Sequence, residues 1–129
     1  MDKNLYNLSS IESFFDGLFA NKLSENTFFG DLPRAISDKW ETIVVVGVSY
    51  VSTRDAYAFA NVAVDLYAKP FSDGSKNVGL LDKMERELIK IVEESNDEHY
   101  RIRNGGSYVT YDSKRNLHIN TRIIELVIV

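Results

Sequence analysis

The chain has no cysteine among its 129 residues. That removes a disulfide framework, a thiolate nucleophile and a cysteine zinc site together, and leaves the compartment open. Histidine is almost as scarce. His99 and His118 are the two, and neither belongs to an H-x-x-x-H or H-E-x-x-H pattern, so no histidine metal site is supported. Both are expected on strand surfaces. The G-x-S-x-G, Walker A and G-x-G-x-x-G patterns are missing too. Gly105-Gly106 joins two expected strands rather than a strand and a helix, which argues against a phosphate cradle. No apolar run approaches the roughly 20 residues that span a bilayer. The opening residues, Met1 to Ser9, have no basic stretch leading into an apolar one, so no signal peptide is expected. The net charge of −4 gives no electrostatic reason for tight nucleic-acid binding. The default expectation is a protein without cofactor or metal, away from membranes, in the cytoplasm of the producing cell.

What is present reads as one α+β domain over residues 1–129. Apolar residues are 44% and charged residues 26%, ordinary globular values that argue against a disordered chain. The organising stretch is Asn61 to Ile91. Val62, Val64, Leu66 and Ala68 alternate with Asn61, Asp65 and Lys69, the period-2 pattern of a strand with one buried face. Pro70 ends it and Asp73-Gly74-Ser75 turns the chain. Val78, Leu81, Met84, Leu88, Ile91 and Val92 then recur at steps of three and four, one stripe of a helix. A helix stripe and a strand face of this kind bury each other.

Ahead of this stretch, Ser9-Ser10-Ile11-Glu12 fits a capping box, and Ile11, Phe14, Phe15, Leu18 and Phe19 make an amphipathic helix ending near Asn21 or Lys22. Its three phenylalanines are assigned to the core. Leu23 to Lys39 reads as a long loop. Its Phe28 and Phe29 either form a contact surface or cover an open end of the core. Trp40 to Val51 is a strand, with Gly47 expected to mark a bulge or a close backbone approach. Ser52-Thr53-Arg54-Asp55 is a polar turn and Ala56 to Lys69 the return strand, a hairpin expected to project beyond the sheet. After the second helix, His99 to Arg103 and Ser107 to Tyr111 are expected as separate strands joined by an Asn104-Gly105-Gly106 turn. Leu117 to Val129 is the last strand. Its end, Ile123 to Val129, is apolar on both faces except at Glu125, so it is either central or paired with another molecule. The expected fold is a four- or five-stranded antiparallel sheet with two helices packed on one face.

Candidate chemistry is sparse. Asp55, Asp65 and Lys69 touch the pattern of a metal-dependent nuclease, but Asp65 and Lys69 are four residues apart rather than two, and no further acid accompanies them. Glu85, Glu93 and Glu94 read as solvated, with Lys83–Glu87, Asp82–Arg86 and Lys90–Glu94 as ready i,i+4 pairs. Charge is uneven along the chain. Residues 1–68 hold five basic and nine acidic residues; residues 99–129 hold five basic against two acidic. The asymmetry hints at head-to-tail self-association, and basic residues that protect strand edges are the plainer explanation.

The stretch Val62-Ala-Val-Asp-Leu-Tyr-Ala-Lys69, a glycine-bearing turn, and the helix Leu80-Leu-Asp-Lys-Met-Glu-Arg-Glu-Leu88 resemble tailed-phage tail-terminator or tail-completion proteins. The opening helix, the Leu32-Pro33 loop and the closing strands follow the same order, so the likeness covers most of the chain. The resemblance implies a structural protein with no active site. It implies a ring of copies of itself, usually a hexamer, which caps the tail tube and joins it to the head–tail connector. The tube protein and connector would be its partners, with no membrane and no sequence-specific nucleic acid. It would be made in the cytoplasm of a bacterial cell and end in the virion tail. On this expectation Ser52, Thr53, Arg54 and Asp55 at the hairpin tip and Ile124, Leu126 and Ile128 in the last strand meet neighbouring subunits. Arg101, Arg103, Lys114 and Arg115 face the lumen or the tube protein. Two other readings stay open. One is a small dimeric binding module with a pocket at Phe28–Phe29, between the first helix and the sheet. The other is the nuclease.

Overall fold

The computed structural model describes residues 7–129, and the backbone alone at Tyr50. The reading of the chain's first six residues lies outside them. Helix α1 runs Leu8–Phe19. Its N-cap is Asn7, whose side-chain oxygen accepts the Ser10 N–H at 2.9 Å, so the helix begins before Ser9 and the expected Ser9–Glu12 capping box does not form. Asparagine is as good an N-cap as serine, and it comes first. Ile11, Phe15 and Phe19 are fully buried, and Phe14 stacks on Tyr100 at 4.7 Å between ring centroids. Past Ala20, Asn21 takes a left-handed φ of 55°, which asparagine tolerates, and the helix stops there.

Part of the expected loop is a strand. Strand β1, Thr27–Phe29, pairs in parallel with β2, Thr42–Thr53. Short polar side chains fasten it: Ser24 Oγ and Asn26 Nδ2 each donate to the Thr42 carbonyl at 3.1 Å, and Thr42 Oγ1 donates to Ser24 Oγ at 2.8 Å. The sheet is therefore antiparallel except at this one edge. β2 forms the expected hairpin with β3, Ala58–Ala68. The bulge in β2 lies between Val48 and Tyr50, not at Gly47. A Cβ on Gly47 would meet only the Gly30 carbonyl oxygen, at 3.9 Å, so that glycine is not forced by space. The hairpin does not project, because β3 is paired along its whole length with β5, Leu117–Ile128.

Helix α2 spans Val78–Glu94, capped by Asn77, whose side chain accepts the Leu80 N–H at 3.2 Å. It leads into β4, Tyr100–Asp112, one strand where two were expected. Asn104-Gly105-Gly106 is a bulge rather than a turn: Asn104 pairs with Ile124, Ser107 with Arg122, and two glycines stand opposite Ile123. The cause is β5, which offers a continuous partner to both halves, so the extra residue is absorbed and not turned. The strand order is β1-β2-β3-β5-β4.

Both helices lie on one face. Beneath them are Val44, Val46, Val62, Val64, Leu66, Ile124, Leu126 and Ile128, facing Ile11, Phe15, Phe19, Leu81 and Leu88. Each such side chain contributes about 1.5–3 kcal/mol when fully buried. The far face carries a smaller apolar cluster at one end, Ile43, Val45, Tyr67 and Leu117, roofed by Phe28, Leu32, Ile36 and Trp40. No helix among the described residues is long and apolar enough to cross a membrane.

The bulge glycines differ in what surrounds them. A Cβ on Gly105 would stand 2.8 Å from the Ile123 carbonyl oxygen, whereas one on Gly106 would meet nothing within 4 Å. Gly105→Ala is expected to destabilise by about 1–3 kcal/mol through overpacking against backbone. Gly106→Ala is expected to stay within about 0.5 kcal/mol, as for an open surface site. Urea denaturation of the two variants checks the contrast.

Candidate functional site

The register scatters the sequence-predicted residues over both ends of the sheet and its interior. The hairpin turn closes where the Arg54 N–H donates to the Tyr57 carbonyl at 2.7 Å. Thr53, Arg54 and Asp55 are exposed there and Ser52 is half-buried. Arg54 Nη1 donates to Ser52 Oγ at 3.3 Å, and its guanidinium carbon stands 5.4 Å from the Phe59 ring centre. This tip is on the surface, as expected.

Arg101 and Arg103 belong to the same end of the sheet, since Tyr100 and Ala58 both pair with Ile128. Arg103 is ion-paired with Glu125 across the β4–β5 ladder. Lys114 and Arg115 occupy the turn at the opposite end, roughly 30 Å along β4 at about 3.3 Å per residue. There Asp112 accepts the backbone N–H groups of Lys114 and Arg115 at 3.1 and 3.2 Å, and the Arg115 guanidinium at 2.9 Å. The Arg115 side chain, followed by its backbone N–H, holds the Asp112 carboxyl below the usual carboxylate range. The four basic residues therefore do not form the single group expected of them.

One further expectation is corrected. Ile124, Leu126 and Ile128 are fully buried beneath the helices and are not available to a neighbour. β5 is apolar on both faces because it is central in the sheet, the first of the two alternatives that its composition allows. Phe28 and Phe29 are half-buried, in keeping with the second role open to them, a cover over the core. Phe28 lies 5.6 Å from Trp40 on the far face, and Phe29 packs against the helix-side core.

Among the described residues the space between α1 and the sheet is taken up by Phe15 and Phe19, both fully buried. A cleft of about 620 Å³ opens instead on the far face, floored by Ile43, Tyr67 and Leu117 and walled by Trp40, Arg34 and Lys69. Lys69 Nζ donates to the Asp38 carbonyl at 2.7 Å. Burial, then the charges of Asp65 and Asp112, push the Tyr67 phenol up to about 12. The nuclease geometry is not assembled. Asp55 is at the hairpin turn, and Asp65 sits seven residues into β3, roughly 20 Å away at strand rise. Asp65 accepts from the Thr121 hydroxyl at 2.6 Å. Among the described residues there is no group of three His, Asp or Glu placed to hold a metal.

One polar cluster escaped the sequence reading. Glu85, expected in solvent, accepts from Arg122 Nη2 at 2.6 Å and from Asn120 Nδ2 at 3.5 Å, tying α2 to β5. Arg122 Nη1 also donates to the Gly105 carbonyl at 3.4 Å. The interrupted apolar pattern of the last strand, polar at 120 to 122 before Ile123, was its only trace in the sequence.

The remaining surface features are the two sheet edges. No strand among the described residues borders β4 on its outer side, and its second half exposes Tyr108 (54%), Val109 (64%) and Tyr111 (51%). At the opposite edge β1 pairs only Val44–Val46, so no strand among the described residues flanks 48–53. No protein-family model and no curated protein matches this chain.

The Tyr67 shift has a measurable sign. A phenol that keeps its proton more tightly when folded stabilises fully below pH 10, and that stabilisation is lost as pH rises through about 12. Tyrosinate absorbance should show one of the seven tyrosines ionising near pH 12 in the folded protein. Tyr67→Phe should remove that step and flatten the alkaline loss of stability.

Proposed function

We propose that the protein is a structural assembly protein of the phage tail-terminator or tail-completion kind. It forms a ring of its own copies at the head-proximal end of a tail tube and joins the tube to the connector. The observation that carries this reading is the edge strand β4. Edge strands are ordinarily guarded by lysine, proline or a covering element. Among the described residues Ser107 to Tyr111 has none of these and presents three large side chains to solvent. Such an edge suits a surface that is covered by a protein partner. The order of elements, with a hairpin followed by a helix and closing antiparallel strands, agrees with the family resemblance, and no step of bond chemistry is needed. A bacterial cytoplasm followed by the virion tail is the location that goes with this role.

A ligand-binding module is the second reading, and the far-face cleft supports it, since its volume falls within the range of small-molecule sites. Trp40, the only tryptophan, lines that cleft. Its fluorescence should therefore stay unchanged on titration with small-molecule libraries if assembly is the function. A saturable change would favour the module.

Native mass spectrometry and light scattering at micromolar protein test the ring itself. The expected result is a closed oligomer, either alone or with the tail-tube protein. Val109→Lys should lower the assembled fraction at least tenfold and leave the thermal midpoint within a few degrees, because Val109 is mostly exposed in the single copy. A monomer under both conditions would defeat the proposal.

A further inference from the structure

We infer that the far-face cleft is a site for an uncharged small molecule with an apolar body and one carbonyl group, which accepts a hydrogen bond from the Tyr67 phenol. This rests on the second reading above, the ligand-binding module, and names its ligand. It does not depend on the ring.

The phenol is the observation that points to a ligand. Tyr67 is 7% exposed and lines the cleft. Its hydroxyl makes no hydrogen bond to any other described residue. A tyrosine placed this deeply ordinarily finds a partner for its O–H. The polar side chains before and after it on the same face of the chain have theirs: Asp65 accepts from the Thr121 hydroxyl, and Lys69 donates to the Asp38 carbonyl. Tyr67, between them, is left with a donor that opens on the cleft. It also stays a donor. Burial, then Asp65 and Asp112, keep the phenol protonated to about pH 12, so at neutral pH its match is an acceptor.

Around the phenol the cleft is apolar. Ile43 and Leu117 are buried in its floor, and Trp40 is half-buried in its wall. Apolar surface removed from water against these three supplies most of the affinity. One well-placed polar contact supplies the orientation.

The rim selects against ions. Arg115 is paired with Asp112, which leaves Arg34 and Lys69 against Asp38 and Glu41, a balance of zero. A ligand with a charge of its own would give up hydration and meet no net opposite charge in return. A carboxylate is disfavoured further, because Asp65, Asp112 and Asp31 together outweigh Arg115 at the phenol. An ammonium has no lone pair to take the phenol hydrogen.

Benzamide is the probe, with benzoate and benzylammonium as charged counterparts of nearly the same shape. Each is titrated through the millimolar range into the whole protein at neutral pH, and Trp40 fluorescence is read. Benzamide should give a saturable change, and the two ions should bind at least tenfold more weakly. Tyr67→Phe should weaken benzamide about three- to tenfold, the loss expected for one neutral hydrogen bond. Its thermal midpoint at neutral pH should hold, because the hydroxyl has no partner in the protein to leave behind. Tyr108→Phe, outside the cleft, should leave all three titrations unchanged. Benzoate or benzylammonium binding as tightly as benzamide would overturn the inference and leave the module standing. So would benzamide binding Tyr67→Phe as tightly as the native protein. No saturable change with any of the three would bring down both.

Discussion

The seating of the α2 stripe on β3 is the constraint from which the rest of the structure follows. Val62, Val64 and Leu66 have no exposure, and they lose it under a helix whose own Leu81 and Leu88 are equally buried. Once that face is committed, every strand beside β3 must present apolar residues in the same phase. A slip of one residue would turn the whole set outward. β2 complies with Val44 and Val46, and β5 with Ile124, Leu126 and Ile128. The bulges in β2 and β4 are the places where that phase is reset, and both lie in strands at or near an edge, where an unpaired residue costs least.

Apolar packing fixes which face is buried but not how far the helix slides along it. The Glu85–Arg122 pair supplies a directional tie between α2 and β5. It is mostly shielded, so its net contribution to stability is small against the desolvation of two charges. Its value is in orientation: Arg122 also reaches the Gly105 carbonyl, so the helix, the central strand and the bulge share one side chain.

The local patterns were legible where one physical period ruled a segment. α1, the β2–β3 hairpin and α2 stand close to where alternation and three-four spacing put them. β1 was not legible, because its three residues are held by Ser24, Asn26 and Thr42, contacts made across 16 to 18 residues of chain. The glycine pair at 105–106 misled for a related reason. Two glycines between short strands read as a turn, and only the continuous partner β5 makes them a bulge. Of the candidate site, the hairpin tip was readable as polar turn chemistry. The last strand could be read as central or as paired with a partner, because a two-sided apolar strand looks alike whether its neighbour is β3 or another molecule. The scattering of the basic residues to both ends of β4 followed from the same missed continuity.

The position of β5 has a consequence for how the protein comes into being. It is the last of the five strands in chain order, yet it stands between β3 and β4. Its pairing with β3 joins residues as far apart as Ala58 and Ile128. A nascent chain that has emerged only as far as α2 has the hairpin and both helices but lacks the partner that covers β3, and β4, when it follows, has nothing to pair with until β5 appears. Folding is therefore held back until nearly all of this sequence is out of the ribosome. Until then, the exposed flank of β3 is what chaperones would meet.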